Sequence, residues 1–242
     1  MKKNVSARTP LTNEQIQVIL TGKFGDGCLA TNSMAKAHPE SIYSYYYCTS
    51  SIYSEYIQFK KDILGNLCNT GITYSTNRGY KTGNIYKLYT ISHPLITEIA
   101  HETLEESLLR MDELGFAMWI YDDGSLHKDK HFYNINTQAF SREENADIIV
   151  PFLKQRFDIT AVPTIERKKD GRCYWYLRVK KYDGAFIISE ILLKHFVPCL
   201  SYKCINPELV NNWHILKNNL SICGVNIDSM HPKTITAMLK RI

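Results

Sequence analysis

Two stretches of this chain, residues 19–27 (ILTGKFGDG) and 116–124 (FAMWIYDDG), decide its fold. Each is an apolar segment with helical spacing that ends in a carboxylate followed by glycine, a residue suited to the position just after a helix. A carboxylate in that place lies at the negative end of the helix dipole, which costs about 0.3–1 kcal/mol. One such ending is most simply a helix-stop turn, whereas two endings at equivalent places of a repeat favour a functional site.

The elements predicted around these two stretches occur twice in approximately the same order. In the first half we predict a helix opened by a capping box at 12–15, strands at 42–48, 71–75 and 84–91, and helices at 54–67 and 94–104. In the second half we predict a helix at 114–122, a strand at 132–140, a helix opened by a capping box at 141–144, a hairpin of 159–167 with 172–180, and a helix at 185–196. The sequence therefore predicts an α+β fold of two αββαββα halves related by a pseudo-two-fold axis.

The composition excludes several classes of protein. The chain has 242 residues, of which 44% are hydrophobic and 22% charged, so it is neither collagen-like nor wholly disordered. We expect no membrane span and no signal peptide, because no run of 18 apolar residues occurs and the N-terminus has no apolar segment. The seven cysteines are scattered without a C-x-x-C pair, which favours a reducing compartment. We expect a cytoplasmic location in a bacterium or a phage-infected cell, with an organelle as the alternative.

The net charge of +5 is concentrated in two segments that are predicted to be strands. Residues 161–181 hold seven Lys and Arg against two acids, and residues 73–90 hold three bases and no acid, which favours a polyanionic partner. Along the hairpin, polar or aromatic residues alternate with Cys173, Trp175, Leu177 and Val179, which predicts one DNA face and one core face. The residues predicted to contact DNA are Tyr74, Thr76, Arg78, Lys81, Tyr86, Lys87, Asn134, Asn136, Gln138, Arg167, Lys169, Arg172, Tyr174, Tyr176, Arg178 and Lys180.

The carboxylates of Asp26 and Asp123 come close to each other if the two apolar helices pack about the pseudo-two-fold axis. The small residues Thr21, Gly25 and Ala117 favour such close packing. Two neighbouring anions raise the pKa of one of them unless a cation lies between them. Mg²⁺ resolves this conflict, since it binds one or two carboxylates together with phosphate and water oxygens.

These residues resemble a known family. Residues 19–27 and 116–124 resemble the paired motifs of the LAGLIDADG homing endonucleases, in the single-chain subclass that carries both motifs, and residues 136–140 (NTQAF) and 201–203 (SYK) resemble later elements of the second half. The resemblance implies two four-stranded sheets that form a saddle over duplex DNA, with the motif helices packed at the centre. It divides the chain into an N-terminal arm (1–10), two halves (11–106 and 107–205) and a C-terminal extension (206–242).

The resemblance also implies a monomer that hydrolyses both strands of DNA across the minor groove, with Mg²⁺ as the cofactor and Mn²⁺ as its substitute. Asp26 and Asp123 are the implied metal ligands, with Gly25 and Asp122 as neighbouring metal contacts. Lys203 matches the lysine that polarises water or neutralises phosphate charge in one cleavage centre.

The first half departs from the family pattern. Thr21 and Lys23 stand where the family usually has glycine and an apolar residue, and residues 101–109 match the stretch of the second lysine but contain none. The candidate substitutes are Arg110, His101 and Lys81. This departure leaves a strand-biased nicking enzyme as an alternative function. From another class, the alternative is a binding protein on the same fold, either an RNA maturase with intron RNA as its partner or a DNA-binding regulator.

Overall fold

The computed structural model describes residues 9–33, 38, 40–77, 83–127, 132–168, 170–179, 182–227 and 230–242. The described residues form two compact units. Unit 1 runs to Gly124 and includes Val197–Leu200, and unit 2 consists of Ser125–Phe196 and Ser201–Ile242. Unit 1 therefore contains both motif stretches. Residues 1–8 of the predicted N-terminal arm lie outside the described residues.

Unit 1 is built on a four-stranded antiparallel sheet with the strand order β1-β2-β4-β3. Its strands are β1 (Gly27–Thr31), β2 (Tyr45–Ser51), β3 (Thr73–Asn77) and β4 (Gly83–Tyr89). Its helices are α1 (Asn13–Phe24), α2 (Ser54–Leu64), α3 (Pro94–His101), α4 (Leu104–Arg110) and α5 (Glu113–Asp123). The helices α1 and α2 pack against the sheet, where Tyr47 and Leu88 are fully buried.

Unit 2 contains the second sheet, in which β5 (Gly124–His127), β6 (Phe132–Asn136), β7 (Ala161–Arg167) and β8 (Cys173–Val179) have the order β5-β6-β8-β7. A π-helical segment (Glu144–Ile149) continues into α6 (Val150–Phe157), and α7 (Tyr182–Lys194) follows the sheet. The C-terminal residues form α8 (Pro207–Ile222) and α9 (Pro232–Leu239). Trp213 of α8 stacks on Phe186 of α7 with ring centroids 5.0 Å apart, so the C-terminal extension covers part of unit 2.

The two sheets have the same strand order, which confirms the predicted repeat. The sequence analysis missed the first strand of each sheet, β1 and β5, which begin at the motif glycines and contain only five and four residues. Strands this short show no clear alternation. The predicted strand 42–48 also lies too early, since β2 is Tyr45–Ser51. The predicted domain boundary lies between the two repeats, at residue 106. The compact units are instead divided after Gly124, because α5 packs against α1 and so belongs to unit 1.

Capping residues set the helix starts. Both predicted capping boxes, at 12–15 and 141–144, are formed by reciprocal side-chain and backbone hydrogen bonds. The single helix predicted at 94–104 was wrong, because Thr103 and Glu106 form a further capping box that ends α3 and begins α4. In the described ranges, no helix has both the length and the apolar character needed to cross a membrane.

The glycines of the motif stretches serve close packing. Neither Gly27 nor Gly124 has a positive φ, so the backbone after each motif helix does not make a left-handed turn. A Cβ atom added to Gly25 would lie 2.4 Å from Oδ2 of Asp122 and 2.7 Å from its Cβ. Gly25 therefore allows the backbone at the end of α1 to approach Asp122 of α5.

The motif helices α1 and α5 pack against each other within unit 1, as predicted. The rings of Phe24 and Trp119 lie 5.2 Å apart. Gln17 of α1 is fully buried, donates to the carbonyl of Arg110 (2.8 Å) and accepts from the backbone N–H of Asp112 (3.0 Å). Gln17 thus satisfies backbone groups at the start of α5 from inside the helix pair.

The close approach at Gly25 predicts that Gly25→Ala lowers the free energy of unfolding by about 1–3 kcal/mol, because the added methyl group must displace Asp122. The matched control is Gly71→Ala. Gly71 has no atom within 4 Å of an added Cβ and no positive φ, so its change should stay within about 0.5 kcal/mol. Urea unfolding followed by tryptophan fluorescence measures both, and equal effects of the two substitutions would contradict the assigned contact.

Candidate active site and nucleic-acid interface

The two motif aspartates stand at the ends of packed helices in the same compact unit. Asp26 follows α1 directly and is exposed, and Asp123 is the last residue of α5 and is half-buried. The capping N–H of Gly25 donates to the carbonyl of Thr21 and that of Gly124 to the carbonyl of Ile120, so both helices keep regular hydrogen bonds up to the aspartates. The fold therefore presents two carboxylates at the negative ends of two helix dipoles, as the sequence predicts.

The neighbouring carboxylate, Asp122, is enclosed. Its Oδ1 accepts hydrogen bonds from Nζ of Lys60 (3.0 Å) and the hydroxyl of Tyr56 (2.8 Å). Its Oδ2 accepts from Nζ of Lys60 (3.0 Å) and from the backbone N–H of Asp26 (3.2 Å). The side chains of Lys60 and Asp122 are 0% and 1% exposed. Asp122 thus joins α2, α5 and the end of α1 through a buried ion pair, and it differs from the accessible Asp26 in this respect.

The surroundings of the ion pair keep Lys60 charged. Burial by itself lowers the pKa of the Lys60 ammonium, but the charge and hydrogen bond of Asp122, together with Tyr47 and Asp26, outweigh this effect, and the pKa of Lys60 is raised. Nζ of Lys60 also lies 3.4 Å from Oγ1 of Thr49 and 4.6 Å from the centre of the Tyr56 ring. Burial and the same carboxylate raise the pKa of Tyr56, so its hydroxyl stays a hydrogen-bond donor.

The sheet of unit 2 presents the polar face predicted for the hairpin. Leu177 and Val179 of β8 are fully buried, which leaves the intervening Arg178 on the opposite face. The strand register pairs Asn134 with Arg178 and Asn136 with Tyr176, so these four polar residues share that open face. The predicted alternation therefore holds at Leu177 and Val179, whereas Trp175 is half-buried and Cys173, also predicted on the core face, is exposed at the start of β8.

Neighbouring side chains orient Arg178 on this open face. Its Nη2 donates to the hydroxyl of Tyr176 (2.8 Å), and its Nε donates to Oδ1 of Asn134 (3.4 Å). The guanidinium carbon lies 5.3 Å from the centre of the Phe132 ring, a cation–π distance. An arginine held in this way loses little conformational freedom when it binds an anion.

The other predicted contacts of unit 2 lie nearer the ends of the strands. Arg167 pairs with Cys173 and thus lies on the other side of the sheet from Arg178, at an exposed strand end. Arg172 forms an ion pair with Asp170 in the hairpin turn, and Gln138 is exposed beyond the end of β6. Lys169 and Lys180 lie outside the described residues.

In the sheet of unit 1, the residues predicted to contact DNA lie on two different faces. Tyr86 pairs with Tyr74 and shares the parity of the buried Leu88, which places both tyrosines on the face that bears the helices. Thr76 has the same parity as Tyr74. Lys87 lies on the opposite, open face, and Arg78 and Lys81 lie outside the described residues. Among the described residues of this sheet that were predicted to contact DNA, Lys87 is therefore the one on the open face, as Arg178 is in unit 2.

Comparison with known families identifies the paired helix ends. A model of the LAGLIDADG DNA endonuclease family matches residues 17–185, which is more than half of the chain and includes both Asp-Gly endings. The chain belongs to this family.

The chain is also similar to individual proteins. A probable intron-encoded DNA endonuclease 3 from Mycosarcoma maydis is 42% identical over 38 residues, which are 16% of this chain and 28% of that protein, so the match spans less than a third of the relative's length. The homing endonuclease I-WcaI, solved bound to its DNA recognition sequence, has a TM-score of 0.68 at 15% identity and covers 84% of this chain and 91% of its own. I-DmoI in complex with DNA and Mn has a TM-score of 0.48 at 16% identity, over 77% and 100% of the two chains. The similarity to I-WcaI shows a shared fold.

Three basic residues, Lys203, Arg110 and His101, were named as candidates to act beside the motif aspartates, and each has its own partners in the structure. Lys203 belongs to unit 2, is largely buried, and accepts a hydrogen bond from the Tyr133 hydroxyl at its backbone carbonyl. Arg110 forms ion pairs with Glu98 and Glu102, and the His101 ring meets the edge of Tyr45 at 5.2 Å. Arg110 and His101, two of the substitutes named for the first half, therefore contribute to the packing of α3 and α4.

The sequence analysis missed Lys60, although the sequence contains a signal for it. The buried residues of α2 are Tyr56, Ile57, Lys60 and Leu64, whereas Phe59 and Ile63 are half-buried. These positions have the i, i+4, i+8 spacing of a helix face, with a lysine in the middle of the apolar stripe. A lysine at such a position predicts a buried anionic partner, because an unpaired buried charge is very costly.

The ion pair predicts that Lys60→Met lowers the free energy of unfolding by about 3–5 kcal/mol, because it leaves the Asp122 carboxylate buried without its cation. The double variant Lys60→Met/Asp122→Asn removes both charges and should recover most of that loss. Lys61→Met, at the half-buried neighbouring position, is the control and should change stability by no more than about 0.5 kcal/mol. Urea unfolding followed by circular dichroism measures all three, and a loss for Lys60→Met as small as that for Lys61→Met would contradict the prediction.

Proposed function

We propose that this chain is a site-specific endonuclease that binds double-stranded DNA and hydrolyses both strands across the minor groove. The observation that carries this proposal is the pair of packed helices, α1 and α5, each ending in a motif aspartate within one compact unit. Membership of the LAGLIDADG DNA endonuclease family and the DNA-bound state of I-WcaI support DNA as the substrate. Because both motifs belong to one chain, we propose that it acts as a monomer.

Mg²⁺ fits the donor set of the motif aspartates. Asp26 and Asp123 offer hard carboxylate oxygens with access to solvent, whereas both oxygens of Asp122 already accept hydrogen bonds. Within the described ranges, no group of three or more His, Cys, Asp or Glu side chains could hold a metal by itself. Mg²⁺ typically binds through one or two carboxylates and keeps water and substrate phosphate as its other ligands. We therefore assign the metal to Asp26 and Asp123, with Mn²⁺ as a substitute, while the contribution of Gly25 stays a prediction.

The chain's own residues position and neutralise the reacting groups. When bound, the metal supplies an activated water and stabilises charge on the leaving oxygen. Asp26 and Asp123 hold their carboxylates at the ends of two helices whose packing is fixed by buried contacts such as that of Phe24 with Trp119. Lys203 is the proposed cation that polarises water or neutralises phosphate charge in one centre.

The open sheet faces are the proposed DNA-contacting surfaces. In unit 2 this surface contains Arg178, Tyr176, Asn134 and Asn136, whose amide and guanidinium groups suit hydrogen bonds to base edges and phosphates. In unit 1 the corresponding face contains Lys87. Half-buried and exposed polar groups at alternate strand positions are typical of a long, shallow interface.

A strand-biased nicking enzyme is the second candidate function. The observation that favours it is the engagement of Arg110 with Glu98 and Glu102, which leaves that arginine as a packing residue of the first half. If a basic residue assists one cleavage centre and not the other, the two DNA strands are expected to be cut at unequal rates. The two candidates differ in the ratio of nicked to linear product from a supercoiled plasmid.

The proposed function predicts that Asp26→Asn and Asp123→Asn each reduce DNA cleavage at least 100-fold while DNA binding persists. The target is first recovered by incubating the protein with a library of genomic or randomised duplexes and Mg²⁺ and sequencing the ends. Asp62→Asn, at an exposed carboxylate on α2, is the matched control and should cleave at the wild-type rate. Cleavage that persists in both motif variants excludes the proposed mechanism. Specific binding of the wild-type protein without any cut ends favours the binding-protein alternative, and intron RNA is then tested as the partner.

The open face of unit 2 predicts that Arg178→Gln weakens DNA binding. We expect the slope of log Kd against log salt concentration to fall by about 1, because the contact of one positive charge with a phosphate is lost. Lys154→Gln is the control, since Lys154 lies on α6 in an ion pair with Asp158 and away from the open face. Fluorescence anisotropy with a labelled duplex at several salt concentrations measures both variants. An unchanged slope for Arg178→Gln would place the DNA on another surface.

A further inference from the structure

We propose that Lys60 and Asp122 form a positioning pair that fixes the backbone of Asp26, and that Asp122 is not itself a metal ligand. This inference rests on the proposed nuclease function and assigns a role to a lysine that the motifs do not include. It concerns how the carboxylate of Asp26, a proposed metal ligand, is held in place for the proposed reaction.

The contacts of Asp122 connect the buried lysine to the active-site backbone. Lys60 holds both carboxylate oxygens at 3.0 Å, and Oδ2 accepts the backbone N–H of Asp26 at 3.2 Å. The absence of a side chain at Gly25 permits this contact, since an added Cβ would lie 2.4 Å from Oδ2. The orientation of the Asp26 peptide is thus set by a carboxylate that is itself immobilised by a fully buried ammonium group.

The hydrogen bonds of Asp122 leave it poorly suited to bind a metal. The carboxylate accepts four hydrogen bonds from three residues, and its side chain is 1% exposed. A carboxylate has about four lone-pair sites, so the four donors saturate its acceptor capacity. A cation bound to Asp122 would have to displace Lys60, whose ammonium group would then remain buried without an anionic partner.

The charges of Lys60 and Asp122 occur as a pair, since Nζ of Lys60 lies 3.0 Å from the carboxylate and both side chains are enclosed. A pair used only to stabilise packing could be replaced by apolar residues with little loss or with a gain. We infer that the pair is kept for the hydrogen bond that it directs to Asp26.

The test is the affinity of the protein for Ca²⁺, measured by calorimetry on its complex with the duplex recovered above. Lys60→Met and Asp122→Asn should each weaken Ca²⁺ binding about 10-fold or more. The double variant Lys60→Met/Asp122→Asn should also bind Ca²⁺ about 10-fold more weakly than the wild type, but no more weakly than the worse single variant, because the two residues act as one unit. The double variant carries no unpaired buried charge, so it separates a positioning role from loss of folding. Lys61→Met is the control and should bind Ca²⁺ like the wild type.

Three outcomes overturn the inference. If Asp122 is a ligand restrained by Lys60, Lys60→Met frees its carboxylate and tightens Ca²⁺ binding while Asp122→Asn weakens it. If the pair serves folding alone, the double variant binds Ca²⁺ with wild-type affinity. A wild-type complex that binds no Ca²⁺ overturns the proposed function together with this inference, whereas wild-type binding with either of the first two results overturns the inference alone.

Discussion

The buried ion pair between Lys60 and Asp122 is the interaction on which the arrangement of unit 1 depends. Moving two charges out of water costs several kcal/mol for each ion, and this cost is recovered only when geometry and hydrogen bonding are favourable. Here the compensation comes from the direct contacts of Lys60 and from the hydroxyl of Tyr56 and the backbone of Asp26. Because these groups belong to α2, α5 and the end of α1, one interaction fixes three elements around the motif aspartates.

The close packing of α1 and α5 follows from the same requirement. Gly25 must lack a side chain if Asp122 is to reach the Asp26 backbone, and Gln17 must be buried if the backbone at the start of α5 is to be satisfied. The apolar contact of Phe24 with Trp119 completes the pair of helices. The motif is therefore a packing device as well as a source of carboxylates, and its glycine is needed for proximity rather than for a left-handed turn.

The repeat accounts for the architecture but not for the chemistry of each half. Both sheets have the same strand order, and both motif helices end in an aspartate. The residues before these aspartates differ, since Asp122 precedes Asp123 whereas Gly25 precedes Asp26, and Lys60 pairs with Asp122. The two proposed cleavage centres therefore differ in their neighbouring residues.

The sequence by itself determined the family, the repeat, the capping boxes, and the alternation of the hairpin that buries Leu177 and places Arg178 on the opposite face. These features depend on local spacing, so they can be read from neighbouring residues. The tertiary structure alone decided the partner of Lys60, the close approach of Gly25 to Asp122, and the separation of Lys87 from Tyr86 onto opposite faces of a sheet. Each of these depends on contacts between residues far apart in the chain or on strand register. Sequence patterns do not fix such contacts, because a shift of one residue in register moves every side chain to the other face.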